Sequence, residues 1–153
     1  MIVTGDDASP DISGLIGQYA HGNEPVHHVI YLYSILGEPD KAADRVRQTL
    51  AELYTDKPAG LSGNEDAGQM SAWYVLSSLG FYQPEPASGR YWFGYPKWSR
   101  ATIEVPGGQM VLEKQGEGHH IASVSLNGKK LDRHYITHEE LIAGGNIVFH
   151  MKE

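Results

Sequence analysis

The sequence predicts an α+β fold, with helical hairpins in residues 1–82, a linker over 83–89 and a small antiparallel β-sheet or sandwich in 90–153. Three observations carry that reading. Apolar residues recur at helical spacing up to Tyr82 and at the alternating spacing of strands after Arg90. Between them lies Gln83-Pro84-Glu85-Pro86-Ala87-Ser88-Gly89, whose prolines and glycine break both patterns. A Gly-Asn-Glu turn leading into an aromatic-rich helix occurs twice, at Gly22 and at Gly63, an internal repeat of about forty residues.

The elements follow in order. Pro25 suits the first position of a helix, where its missing N–H costs nothing, and Val26, Val29, Ile30, Tyr33 and Leu36 are expected on one inner face before Gly37 ends it. A second helix should begin near Pro39 with the stripe Ala43, Val46, Leu50 and Leu53, place Lys41, Arg45 and Arg47 in solvent, and close at Lys57-Pro58-Ala59-Gly60. The third turns Met70, Trp73, Leu76 and Leu79 inward and stops at Gly80. Short connections make neighbouring helices antiparallel, so the first and third run parallel and bring both Gly-Asn-Glu turns to one end of the array. In the second half, residues 101–105 and 110–114 flank Pro106-Gly107-Gly108 as strands, and 121–126 turns at Asn127-Gly128 into Lys129-Lys130-Leu131. Residues 147–151 make a final strand. Thr137-His138-Glu139-Glu140 has the spacing of a capping box, which makes Glu140 a helix-start residue rather than a catalytic acid.

Composition narrows the function classes. A chain of 153 residues suffices for one ordinary domain or two small units, and is too short for a complete toroidal polysaccharide-cleaving domain. With 41% hydrophobic and 20% charged residues it reads as a soluble globular protein, and no run approaches the ~20 apolar residues that a membrane span needs. The net charge of -7, without a Lys/Arg cluster, argues against nucleic acid or an anionic membrane as a partner. There is no cysteine, which removes disulfides and thiolate metal sites. Met1-Ile2-Val3 runs into the polar stretch from Thr4 to Pro10 with neither a basic nor an apolar leader region, so no signal peptide is expected there.

The chemistry should gather at the two repeated turns. Glu65 and Asp66 stand at the mouth of the third helix, where the helix dipole and free N–H groups favour an ionised carboxylate, the state a general base requires. Asn23 and Glu24 hold the matching place before the first helix and offer hard oxygen ligands suited to Ca²⁺. Tyr19, Tyr31, Trp73 and Tyr74 are candidates to stack on sugar faces, and Gln18, His21, His27 and His28 to hydrogen-bond hydroxyls. The plainer alternatives are that the acidic residues cap helices and the aromatic rings fill the core. Zinc is disfavoured, because adjacent histidines at a helix start point apart and no H-E-x-x-H pattern occurs.

Two runs carry a family resemblance. His21-Gly22-Asn23-Glu24-Pro25-Val26-His27-His28, and the stretch from Gly60 through Gly63-Asn64-Glu65-Asp66-Ala67-Gly68-Gln69 to Val75, closely resemble the C-terminal signature of glycoside hydrolase family 92. Ser123 to Gly128 and Gly144 to Phe149 are similar to that family's closing strands, so the likeness covers nearly the whole chain. The resemblance implies an exo-acting, inverting, calcium-dependent α-mannosidase with an N-terminal β-sandwich on an (α/α)6 toroid, of which these helical hairpins are the last part. In such a mechanism one carboxylic acid protonates the leaving oxygen while an opposed carboxylate activates water. By that likeness Asp66 is the base and Glu65 the second choice; His21, Glu24 and Gln69 contact substrate; Asn23 and Glu24 line the mannose and Ca²⁺ pocket. Asn64 stands where some members carry an acid, which breaks any carboxylate pairing two positions apart. The resemblance places the general acid upstream of residue 1, so the chain alone is expected to be inactive, to self-associate through uncovered helix faces, and to derive from a periplasmic or secreted parent acting on α-mannoside glycans with α-1,2 linkages.

Two rivals stand beside that reading. One is a non-catalytic carbohydrate-binding or scaffolding module using Tyr91, Trp92 and Trp98 as stacking rings; the other is a different hydrolase or lyase on an α/α toroid.

Overall fold

A computed structural model of the chain describes residues 12–153. The opening of the predicted helical half, on which the signal-peptide expectation and the polar run to Pro10 fall, lies outside the described residues. From Ile12 onward the first half begins with a two-stranded hairpin, β1 (Leu15–Ile16) and β2 (Tyr19–Ala20), which the helical reading did not anticipate. It delivers His21 and Gly22 beside Ser13 and Gly14, with the His21 and Gly22 amides donating to the Gly14 and Ser13 carbonyls.

The expected helix from Pro25 to Leu36 is not continuous. Two 3₁₀ turns, Glu24–Val26 and Val29–Tyr31, lead into a single α-turn, α1 (Leu32–Ile35). This re-aims the buried face. Ile30, Tyr31 and Ser34 are buried, whereas Val29, Tyr33 and Leu36, expected inside, are exposed. The physical reason is that 3₁₀ turns advance three residues per turn rather than 3.6, so an α-helical stripe drawn through them drifts off its face. Helix α2 (Pro39–Glu52) and helix α3 (Gln69–Leu79) are as read, with Ala43, Val46 and Leu50 buried on one and Met70 and Trp73 on the other. Gly80 takes a left-handed φ of 102° and its N–H closes on the Leu76 and Ser77 carbonyls, stopping α3.

The second half departs from a purely antiparallel sheet. A five-stranded sheet of β5 (Arg100–Val105), β6 (Gly108–Gln115), β7 (His120–Leu126), β8 (Lys129–Lys130) and β10 (Gly145–Lys152) has the order β5-β6-β10-β7-β8. Here β10 pairs parallel to β6 and antiparallel to β7. Four buried residues on β10 (Ile147, Val148, Phe149 and Met151) suit a strand with neighbours on both sides. A three-stranded antiparallel sheet joins β3 (Phe81–Tyr82), β4 (Arg90–Phe93) and β9 (Tyr135–Thr137), and so reaches across residues 83–89. Asn127 and Gly128, at φ 50° and 79°, form the predicted tight hairpin. Before α4 (His138–Ile142) the capping box is complete: the Glu140 N–H donates to Thr137 Oγ1 and the Thr137 N–H to Glu140 Oε2.

Two cores hold these parts together. Phe81, Phe93, Met110, Leu112, Ile136, Ile147 and Phe149 pack with Leu76 and Leu79 of α3. Ile30, Tyr31, Val46, Leu50, Trp73 and Trp92 form the other. Each contains residues from both halves, so the helices and the sheets share their hydrophobic stabilisation.

Candidate active site

The two Gly-Asn-Glu turns meet backbone to backbone. A Cβ built on Gly63, whose φ is +71°, would lie 2.6 Å from the Gly22 carbonyl oxygen, and one on Gly22 would lie 2.0 Å from Ser13 Oγ and 3.2 Å from the Ser62 carbonyl oxygen. Only glycine permits that approach at both places. The contact sets Glu24 against the second turn, where its Oε1 accepts from the Asp66 N–H at 3.1 Å.

The four acidic and amide side chains then differ in what they have left to offer. Asp66 opens a 3₁₀ turn, Asp66–Gly68, and is exposed; its carboxylate has no hydrogen-bond partner among the described residues. Glu65 does have partners. Its Oε1 accepts from the Ser71 N–H at 2.9 Å and its Oε2 from Ser71 Oγ at 2.8 Å, so it caps the first turn of α3. Asn23 is half-buried and its side chain carries no hydrogen bond among the described residues. Glu24 retains Oε2.

The predicted hydroxyl-binding residues are placed less directly. His21 is fully buried and both ring nitrogens are taken, Nδ1 by the Tyr19 hydroxyl at 2.8 Å and Nε2 by the Tyr54 hydroxyl at 2.6 Å. Both ring nitrogens are therefore engaged within the chain, whereas the sequence reading has them meeting a sugar hydroxyl. Burial pushes the His21 pKa down to about 3, with His27 stacked 4.5 Å away adding to the effect. His27 is buried as well, and burial lowers its pKa. Its Nε2 donates to the His21 carbonyl at 2.9 Å, so its Nδ1 accepts from Gln69 Nε2 at 3.1 Å. The second Gln69 N–H goes to the Tyr82 hydroxyl at 2.9 Å, which leaves the amide oxygen as its outward-acting atom.

Tyr31 and Trp73, candidates for stacking on sugar, are wholly buried, with Trp73 Nε1 donating to the His27 carbonyl. Their core reading holds. Trp92 is buried too, its Nε1 donating to Glu85, so it offers no open face for a sugar. Sequence reasoning passed over Tyr54, Tyr82 and Ser71, which hold His21, Gln69 and Glu65. The spacing of the first two, 33 and 13 residues from their partners, leaves no local signal to read.

As a cation site, Asn23 and Glu24 have the right chemistry and too few atoms. Both present hard oxygens, yet Ca²⁺ takes 6–8 ligands, and no cluster of three His, Asp or Glu suited to a metal occurs among the described residues. A surface cleft of about 450 Å³ lies on the Ser71 side of the second turn and is lined by Tyr54, Leu61, Ser71, Tyr74, Val75 and Lys97.

Comparison with known proteins bears on this arrangement. The family model for the glycosyl hydrolase family 92 catalytic domain matches residues 1–153. The structure of a family GH92 α-mannosidase from Bacteroides thetaiotaomicron in complex with mannoimidazole superposes with a TM-score of 0.90 at 37% identity, covering 99% of this chain and 21% of that one. A GH92 inverting mannosidase from Bacteroides thetaiotaomicron VPI-5482 gives 0.80 at 40% identity, over 89% of this chain and 19% of its own. An uncharacterized secreted glycosidase from Arthroderma benhamiae is 29% identical over 133 residues, 82% of this chain and 17% of that protein. The chain thus spans about a fifth of the length of these relatives.

Proposed function

This chain belongs to glycosyl hydrolase family 92, and we propose that it supplies the general base and part of the mannose pocket of an inverting exo-α-mannosidase with a preference for α-1,2 linkages. The observation that carries the proposal is the bond from the Asp66 N–H to Glu24: it joins the two repeated turns while leaving the Asp66 carboxylate exposed and, among the described residues, unengaged. A carboxylate so placed is available to take a proton from water, which is what the base of an inverting glycosidase does. Glu65, with both oxygens on Ser71, is the weaker candidate.

Asn23 and Glu24 would contribute oxygens to a Ca²⁺ that takes further ligands from outside the described residues; bound there, the ion would orient sugar hydroxyls. Gln69 would meet substrate through its amide oxygen, with His21 and His27 fixing the wall behind it. The relatives are about five times longer, which supports a toroid completed by other segments, packed with a β-sandwich, and a chain that by itself hydrolyses nothing. Exposed Val29, Leu32, Tyr33 and Leu36 on one side, and Leu61, Val75 and Trp98 elsewhere, are surfaces for that packing. The secreted description of the Arthroderma relative supports a secreted or periplasmic parent.

The test is mannose release by an enzyme containing this chain. Asp66→Asn should lower turnover of an α-1,2-mannobioside by ~10²-fold or more, with β-mannose as the first product by NMR in the unmodified enzyme. Glu65→Gln should cost less and act through α3. Full activity in the Asp66→Asn enzyme would end the assignment.

A further inference from the structure

We infer that Tyr54 is a positioning residue, tying the two Gly-Asn-Glu turns into the relation that lets Glu24 reach the Asp66 backbone. The inference rests on reading those turns as one site. Tyr54 follows α2, and its single hydroxyl proton goes to the Met70 carbonyl at 3.1 Å. Its oxygen must therefore accept at the remaining contact, from His21 Nε2 at 2.6 Å. That fixes the His21 tautomer, so Nδ1 accepts from the Tyr19 hydroxyl at 2.8 Å. A relay of one direction results, from Tyr19 through His21 and Tyr54 to Met70.

Its two ends belong to the two turns. His21 directly precedes Gly22, which opens the first; Met70 is the second residue of α3, the helix that leaves the other. One phenol thus touches the frame of both. The ring itself is seated by Trp73, parallel at 6.0 Å, and by Tyr74 at 4.9 Å, so Tyr54→Phe keeps the packing and removes only the relay. His21 is then left with a buried N–H lacking an acceptor. It can regain a bond only by moving its hydrogen to Nδ1, with Tyr19 becoming the acceptor.

Nitrogen-15 NMR of the 153-residue chain, without sugar or calcium, reads this out. In the unmodified chain His21 should show the Nε2–H tautomer alone; an Nδ1–H tautomer overturns the relay, with no variant needed. In Tyr54→Phe that signature should be lost and the Asp66 amide should exchange roughly tenfold faster, as expected when a positioned hydrogen bond loosens. Glu24→Ala, which removes the acceptor directly, sets the upper limit of the effect. Tyr91→Phe, which removes a hydroxyl contact with His138 in the β half, should change neither reading. An Asp66 amide that exchanges at the unmodified rate in Tyr54→Phe, or as fast in Tyr91→Phe, overturns the inference. Failure here leaves the mannosidase proposal standing, and a failure of mannoside hydrolysis leaves the relay standing.

Discussion

Asp66 sits on backbone that its neighbour follows only under strain. Ala67 has a left-handed φ of 52° and Gly68 one of 79°, so two successive residues bend the chain away between the carboxylate and α3. A Cβ in that region costs about 1 kcal/mol, and Ala67→Gly should therefore stabilise the chain or leave it unchanged, as thermal melting will show. The same bend explains why Ser71 was not legible as the partner of a Glu65 cap. A cap is sought one residue before the helix, whereas here the inserted 3₁₀ turn makes a residue six positions back the acceptor for Ser71. The exposed Asp66, by contrast, was readable, because acidic residues at a helix mouth face outward whether they cap or react. For His21 the sequence showed an imidazole next to a turn and nothing of its burial. Its folded pKa of about 3 lies below the ordinary 6.5, so between those values the unfolded chain binds the extra proton. Stability from this group is complete above that window and falls as pH drops through it, by at most ~1.4 kcal/mol per pH unit. His27 acts in the same direction. Urea midpoints at pH 7 and pH 5 should differ accordingly, and less so in His21→Gln.

Among elements, the turns were the most legible and the first helix the least. Gly-Asn-Glu twice over predicted convergence, and the glycines turn out to be what allows it. Gly63→Ala would drive a methyl into the Gly22 carbonyl at a positive φ, and should cost about 2 kcal/mol or more in a denaturant titration. Pro25 and the apolar spacing after it predicted an α-helix, yet the chain advances there by 3₁₀ turns, and no local residue signals the change of period. What compensates is tertiary: Tyr31 donates to Ser77 Oγ and Ser34 to the Phe93 carbonyl, 46 and 59 residues away. The capping box before α4 needed no such help. Thr137→Ala should cost ~1 kcal/mol, measurable as a lower melting temperature.

At the scale of the whole molecule, the linker read from composition does not separate two bodies. Both cores draw residues from each side of it, and α2 is also pinned to the sheet by His120 to Asp44 at 3.1 Å and Lys152 to Asp40 at 2.7 Å. These exposed pairs contribute little, ~0–1 kcal/mol each, so Asp44→Ala should scarcely move the denaturation midpoint. The apolar surface has the larger effect. Leu36 at 78% and Val75 at 54% exposure should drive association of the chain alone, and the double change Leu36→Lys with Val75→Lys should shift sedimentation towards the monomer. One more consequence lies in the order of the large sheet. Its middle strand, β10, comes last of the five in sequence, so until it is made the hairpins β5-β6 and β7-β8 must wait as separate ribbons with open backbone edges. A premature stop before Gly145 would remove the spine of this sheet, and the nascent chain would meet its neighbours and chaperones with both ribbons unzipped.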